Sequence, residues 1–539
     1  LRTDQEAIEL MRDPTGSTSQ PASPAVPGDT SFFGHPRGLA TLFFTEMWER
    51  FSYYGGRGIL ILFMTAAVAE GGLGMSAAEA APIYGLYVAL VYLAALPGGW
   101  VADRIMGQRD SVFYGGVLIA LGNAGLATPG VTTFYLGLLG IVLGTGLLKP
   151  NVSAIVGDIY PDDAPDAGAR RDAGFSIFYM GINIGALIAP FVTGFLAESP
   201  RFRAMLDGWG IDPASSWHWA FGAAAVGMAA GLVQYKLGGR FLGEAGHLSD
   251  EARTSRGSAM RQFVLGVGAL FLILGALWGV NATGTLTITL QGAAQATGVV
   301  IFAVAVIFFT QVIAFGGLET VEKKRVFVIF LLFVGAAIFW AGFEQAASSF
   351  NLFARERVDR IVFGEEFPTA WFQGVNPTFI ILLAPVFASL WVWLAHRNRE
   401  PSLPVKFGLG LVLMAAGFFV VAWAATYTNP GMADDPGSGV SLAWLAATYF
   451  LHTCGELCLS PVGLSSVTKL SPRKYVGQMM GTWFMGAALG NLIAGLVAGY
   501  FEILPLPSLF AWVGVTGLVA GLFFFVFSRP IQRTMGGVH

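Results

Sequence analysis

The chain breaks repeatedly into apolar runs of about 17 to 25 residues, the length at which a helix crosses the hydrocarbon of a bilayer. Six such runs lie near 39–67, 81–102, 110–128, 132–156, 173–197 and 217–236, and six more near 325–348, 371–395, 405–427, 440–466, 476–501 and 507–528. Between the two sets lie two further runs, 262–284 and 293–315, joined by TGTLTITLQGAAQATG. With 54% hydrophobic and only 12% charged residues, the solvent this pattern fits is lipid. The expectation is an all-α polytopic membrane protein of fourteen transmembrane helices: two six-helix bundles with two additional central helices.

The runs divide the chain into a mobile N-terminal extension (1–38), a first bundle (39–236), a linker with the two accessory helices (237–324), a second bundle (325–528) and a tail (529–539). The extension is rich in Pro, Ser, Thr and Gly and has no apolar core of the kind a cleavable signal needs. Its first residue is Leu1 rather than Met, which suggests a trimmed chain.

Orientation follows from lysine and arginine. If the N-terminus is cytoplasmic and every run crosses, one side collects most of the 31 basic residues, from Arg104 and Arg109 through Lys323, Lys324 and Arg325 to Arg473 and Lys474. Only Arg201, Arg203, Arg355, Arg357 and Arg360 fall on the other side, while Arg50, Arg57 and Lys149 lie within the membrane. A miscounted helix would scramble this bias, so both termini are expected in the cytoplasm.

Several function classes find no support. The net charge of -3 suggests no nucleic-acid partner. Cys454 and Cys458 are the only cysteines, one turn apart in an apolar run, and read as free thiols that pack like small apolar groups. There is no set of paired zinc ligands and no Ser/His constellation, so the chain is not expected to be an enzyme, and no arginine recurs at every third position as in a voltage sensor.

The first run contains TEMWERFSYYGGRGILI. In it Glu46, Glu49, Arg50, Tyr53, Tyr54 and Arg57 fall at i, i+3, i+4, i+7, i+8 and i+11, so a helix puts all six on one stripe. A lone charge at the bilayer centre costs roughly 2.5 to 3.5 kcal/mol, so this stripe needs partners or a hydrated cavity. The alternative is an ion-pair network that only fixes helix packing. Partners exist: Lys149 in GTGLLKPNVS, Glu344 in FWAGFEQAASS and Glu456 in HTCGELCLSPVG. In a transporter of two equivalent halves, Lys149 would oppose Glu456 and Arg57 would oppose Glu344, forming salt bridges that make and break as the cavity opens and closes.

Two sets of residues resemble known families. GGWVADRIMGQR resembles the loop between the second and third helices of the major facilitator superfamily, where Asp103 and Arg104 would cap helix ends at the cytoplasmic closure. EMWERFSYYG resembles the ExxERFxYYG signature of the proton-dependent oligopeptide transporter family, a branch of that superfamily, and the likeness continues through LKPNVS, FYMGINIGA, FWAGFEQ, WFQGVNP, GELCLSPVG and MMGTWFMGAALGN. The two central helices look like those of the bacterial members.

The resemblance implies a major facilitator fold and a proton-coupled symporter of di- and tripeptides in the bacterial inner membrane, needing no cofactor beyond protons and working as a monomer. It implies proton coupling at Glu46, Glu49, Arg50, Lys149 and Glu344, and gating by the pairs Arg57/Glu344 and Lys149/Glu456. Substrate contacts are implied at Tyr53, Tyr54, Arg57, Tyr92, Lys149, Asn183, Trp340, Glu344, Asn376, Glu456, Ser460 and Trp483, with Tyr87 near enough to Tyr92 to compete for its role. The chemistry of a dipeptide suits this set: its carboxylate wants Arg57 or Lys149, its ammonium wants Glu456, Asn183 and Asn376 can each donate and accept, and Tyr and Trp form tolerant walls. Animal members carry a histidine on the second helix that is absent here, so coupling would rest on carboxylates. His452, four residues before Glu456, reads as a helix-to-helix hydrogen bonder. A proton-coupled transporter of nitrate or another small solute is the alternative.

Overall fold

A computed structural model of the chain describes residues 31–160, 167–285, 287–429 and 438–536. Most of the N-terminal extension and the last three residues lie outside the described residues. Each of the fourteen apolar runs carries a long helix: α1 Arg37–Thr65, α2 Ala77–Leu93, α3 Gln108–Leu126, α4 Val131–Asp158, α5 Ala167–Glu198, α6 Ser216–Gly238, α7 Asp250–Ala282, α8 Leu290–Phe315, α9 Thr320–Phe343, α10 Val375–His396, α11 Leu403–Ala425, α12 Ala443–Leu470, α13 Val476–Ala498 and α14 Leu506–Val526. Among the described residues, eleven spans are long and apolar enough to cross a membrane by length and composition. α1 falls short of that measure because its charged stripe interrupts it. The chain is a multi-pass membrane protein.

Helix starts follow local chemistry. Ser76 and Glu79 cap α2 reciprocally, and Glu319 and Glu322 do the same for α9, each pair satisfying backbone N–H groups that a helix start leaves bare. Hydropathy alone misplaces two interruptions. α2 runs on through Ala95–Val101 into a π turn, Ala102–Met106, so Asp103 and Arg104 sit on that turn, exposed, with Arg104 lying 5.8 Å over the Trp100 ring. α9 stops at Phe343, before the end of its apolar run, and gives way to a 3-10 turn, Glu344–Ala347, followed by a short helix, Ser349–Arg357. Glu344 therefore stands at a break in the helix, where backbone irregularity in a membrane protein is tolerated only against protein or a cavity.

Packing repeats in the two sets of six. α1 packs on α5 and α6, and α3 on α4 and α6; in the second set α9 packs on α13 and α14, and α11 on α12 and α14. Small residues let the backbones approach closely. A Cβ on Gly144 would lie 2.5 Å from the Gly115 carbonyl oxygen, and one on Gly455 2.7 Å from that of Gly410. The halves meet along α2 with α13 and along α5 with α10. At the first of these lines a Cβ on Gly85 would lie 2.9 Å from the Cα of Gly495.

The central pair is peripheral. α7 buries only Ala259, which packs at the foot of α2 with Val101 and Ile105. α8 turns Ala294, Ile301, Ala305, Phe309 and Val312 inward, against α2, α9 and α13. Beyond the charged first turns of α7, Asp250 to Gln262, the remaining faces of both helices are largely apolar and exposed, as lipid-facing surfaces are.

Candidate functional site

The charged stripe of α1 points into the protein, and Glu46, Glu49, Arg50 and Arg57 are all buried. At the lower end of the stripe Arg50 Nη2 donates to Glu49 Oε1 at 2.6 Å, and its Nε lies 3.3 Å from Glu46 Oε1. The guanidinium also stands over the rings of Tyr53 (4.9 Å) and Tyr54 (5.8 Å), so one cation is shared between two carboxylates and two aromatic faces. Two turns above Arg50, Arg57 lies 5.8 Å from the Tyr54 ring centre and donates to Tyr84 Oη at 2.8 Å. It crosses to the second half to form an ion pair with Glu344.

This pair belongs to a wider closure. Asn351 Nδ2 donates to the Gly58 carbonyl at 2.9 Å, and Arg355 Nη1 to that of Leu62 at 3.2 Å. Gln373 Nε2 braces Asn351, donating to its Oδ1 at 2.9 Å and to the Ala346 carbonyl at 2.6 Å. The Ala370 N–H reaches Glu198 Oε2 at 2.9 Å, Trp371 Nε1 reaches the Phe191 carbonyl at 3.1 Å, and Arg201 pairs with Glu365. Apart from the Gln373 brace, which lies within the second half, these links join the halves, and all are gathered at the end of the bundle away from both termini.

Below the closure lies a cavity walled by both halves. Tyr54, Arg57, Tyr92, Tyr179 and Asn183 line it from the first half, and Trp340, Glu344, Gln373, Asn376, Tyr449, His452 and Glu456 from the second. Asn376 Nδ2 donates to Thr453 Oγ1 at 2.9 Å and to Glu456 Oε2 at 3.1 Å, which fixes the carboxylate from one side. Trp340, which lines the cavity, has its Nε1 buried with no protein acceptor among the described residues. The wall thus offers a guanidinium, two carboxylates, amides and aromatic faces: groups for both ends of a zwitterion and for variable apolar matter between them.

Of the residues expected from sequence, Tyr54, Arg57, Tyr92, Asn183, Trp340, Glu344, Asn376 and Glu456 are brought together in this wall. Tyr92, rather than Tyr87, is the tyrosine of α2 that reaches it. Four expected residues stand outside it. Tyr53 is buried against Arg50 and Tyr54. Trp483 packs on Phe407 and fills the space over Gly463, where a Cβ would collide with its ring. Ser460 lies a turn beyond Glu456 on α12. Lys149 is not paired with Glu456: its Nζ stands 4.6 Å over the Tyr92 ring, and no ion pair for it is found among the described residues. His452 does bond helix to helix, its Nε2 lying 3.1 Å from the Met414 carbonyl. Cys454 and Cys458 are free and buried.

Sequence reasoning missed Tyr84, Tyr179, Gln373 and Tyr449. Gln373 lies within WFQGVNP, and its polar amide in an apolar stretch was the available signal; the tyrosines carry none, since a membrane protein uses many. Among the described residues no group of His, Cys, Asp and Glu is arranged to hold a metal.

Known proteins share this architecture over nearly the whole chain. The chain is 41% identical over 522 residues to the peptide transporter YePEPT of Yersinia enterocolitica subsp. palearctica, covering 94% of this chain and 97% of that one. It is 35% identical over 518 residues to the di-/tripeptide transporter of Lactococcus lactis subsp. cremoris, covering 95% and 98%. A crystal structure of a peptide transporter POT in complex with sulfate superposes with a TM-score of 0.82 at 39% identity, covering 96% of this chain and 98% of the other. The family profile PTR2, described as the POT family, matches residues 109–509. With fold, paired halves and sequence in agreement, the chain belongs to the POT family of the major facilitator superfamily.

Proposed function

We propose that the chain is a proton-coupled symporter that imports di- and tripeptides by alternating access, its halves rocking about the central cavity. Relatives named as peptide and di-/tripeptide transporters support the substrate class over nitrate or another small solute. The observation that carries the coupling is the Arg57–Glu344 pair, because the carboxylate that closes one end of the bundle also lines the cavity.

The chemistry follows from charge. A substrate carboxylate that bonds Arg57 competes with Glu344 for it, and a Glu344 released from its cation is a better proton acceptor. A proton on Glu344 in turn frees Arg57 for the substrate. Peptide and proton therefore favour each other's binding, and their joint arrival weakens the bond between the halves. The peptide ammonium goes to Glu456, held by Asn376, and the peptide amides to Asn183 and Asn376. Glu46, Glu49 and Arg50, with Lys149, form the second proton-handling cluster. A membrane potential of 100 mV contributes about 2.3 kcal/mol per charge and a pH unit about 1.4 kcal/mol, so one coupled proton sustains roughly a 500-fold peptide gradient.

We place both termini in the cytoplasm and the protein in the bacterial inner membrane, on the lysine and arginine bias. The cavity is walled by one chain, which suits a monomeric transport unit built from bundles 39–236 and 325–528. The test is uptake of labelled dialanine into proteoliposomes under an inward proton gradient and an inside-negative potential. Concentrative uptake that is lost in Glu344→Gln and Lys149→Ala supports the proposal. Folded protein with no peptide uptake under any gradient overturns it.

A further inference from the structure

A second pocket opens far from the central cavity, at the helix ends nearest the termini. It holds about 700 Å³ between the α8–α9 connection, Gly316–Leu318, and the turn that joins α12 to α13. Arg325, Lys469, Arg473 and Lys474 line it, and Glu322 is the acid among its lining residues. That acid is engaged: Glu322 Oε2 accepts the backbone N–H of Glu319 at 3.0 Å, and the Glu319 carboxylate in turn accepts the Glu322 N–H. Arg325 is held in place by the C-terminal segment, its Nε donating to the Met535 carbonyl at 3.1 Å and its Nη2 to that of Gly536 at 3.3 Å. The pocket is therefore lined by two separate parts of the chain, with a third holding one of its cations, and it concentrates positive charge.

One wall of the pocket begins where α8 ends. Phe315, the last residue of α8, is 85% exposed, and along the same helix Val299, Val300, Val304 and Ile307 are exposed as well. An exposed face, apolar from Val299 on except for Thr310 and Gln311, thus runs down α8 towards a cationic hollow at the depth of the helix ends. That is the polarity of a phospholipid, with acyl chains along the helix and a phosphate at the foot.

We propose that this pocket binds an anionic, phosphate-bearing group, with Arg473 and Lys474 as its exposed contacts and Arg325 as its anchored one. Basic pockets between membrane helices take headgroups of this kind, and a bidentate guanidinium matches phosphate geometry. The phosphate can be that of an anionic lipid or a soluble one, and the experiment separates them. The pocket is independent of the central cavity, so the proposal does not rest on the transport reading.

The experiment is native mass spectrometry of the purified full chain, titrated with dioleoylphosphatidylglycerol, with dioleoylphosphatidylcholine or with inorganic phosphate. It compares wild type, Arg473→Gln/Lys474→Gln and, as a control on the same side of the bundle, Lys236→Gln. Both target positions are exposed on a turn, so the fold is retained, and a thermal melt checks this. Each cation beside an anionic headgroup is worth about a fivefold change in affinity, so the double variant is expected to bind phosphatidylglycerol about 30-fold more weakly while Lys236→Gln binds it as wild type does. A defined adduct with inorganic phosphate that is lost in the double variant, without preference for phosphatidylglycerol, supports the site and assigns it to a soluble phosphate. Equal retention of phosphatidylglycerol and phosphate by wild type and double variant overturns the proposal.

Discussion

Arg57 and Glu344 are bonded to each other from opposite halves of the molecule, the guanidinium from the middle of α1 and the carboxylate from the break at which α9 becomes a 3-10 turn. Tyr84 holds the guanidinium from the α2 side. Replacing Glu344 with Gln removes the charge that a proton would remove and fixes the pair in its weakened form. Proton-driven accumulation of dialanine is expected to fall from as much as roughly 500-fold to equilibration. Peptide exchange with no gradient, followed by counterflow, is expected to persist.

Removing the other partner has a different signature. Arg57→Ala leaves Glu344 buried without its cation, at a cost of up to about 3–5 kcal/mol that falls as the carboxylate takes up a proton. Arg57→Lys keeps the charge but not the fork that reaches both Tyr84 and Glu344. Thermal unfolding in detergent is expected to rank wild type above Arg57→Lys, and Arg57→Lys above Arg57→Ala.

Gln373 braces the closure through two hydrogen bonds. Both bonds lie within the second half, so Gln373→Leu acts on closure only by loosening Asn351, whose amide bonds the Gly58 carbonyl of the first half, and is expected to favour opening at that end by up to about 0.5–1.5 kcal/mol, the worth of that one hydrogen bond. Spin labels at positions 201 and 365, exposed on opposite halves, report the change as a longer distance population. An unchanged distribution would show that the brace contributes nothing to closure.

Glycine substitutions separate packed from open helices. A Cβ on Gly455 would meet the Gly410 carbonyl, whereas one on Gly257 would meet nothing within 4 Å. Gly455→Ala is expected to destabilise the second half by about 1–3 kcal/mol. Gly257→Ala is expected to be neutral or to stabilise by up to about 1 kcal/mol through helix propensity. Thermal midpoints of the two variants check this.

The segment leading into α1 is tied down by His35, whose Nδ1 lies 2.8 Å from Tyr160 Oη. Burial, and then the charge of Arg170, holds the imidazole below its usual 6.5, while burial pushes the Tyr160 phenol up to about 12. The folded state thus prefers neutral His35. The contact is fully favourable above the ordinary histidine range and is lost as pH falls through the lower folded value. Hydrogen exchange at residues 31–38 is expected to speed up between pH 7.5 and 5 beyond its intrinsic pH dependence, and His35→Gln is expected to abolish that excess.

The helix count and the inward face of α1 were legible because they depend on periodicity and on charge, which lipid penalises heavily. Of the eight expected binding residues that line the cavity, Tyr54, Arg57, Glu344 and Glu456 stand out by charge or by the α1 stripe, whereas Tyr92, Asn183, Trp340 and Asn376 came only from the resemblance to the family. What was not legible depends on tertiary neighbours. Trp483 reads like Trp340, but Gly463, twenty positions away on another helix, leaves a space that its ring fills. Lys149 reads as the partner of Glu456, but the structure sets it over Tyr92, with Glu456 turned to Asn376. The break at Glu344 leaves no mark in hydropathy, since a 3-10 turn and an α-helix are equally apolar.

Where α2 crosses α13, the halves touch through Gly85 and Gly495, backbone against backbone. Neither residue sends out a side chain to lodge in the other helix, so rotation there meets no knob that must leave its hole and no rotamer that must flip. The links around Arg57, Asn351 and Arg355 are latches with bonds to break; the glycine crossing is a bearing. A bulky residue at position 85 would become a wedge in that bearing, hindering rotation even with every latch and every group of the cavity wall left unchanged.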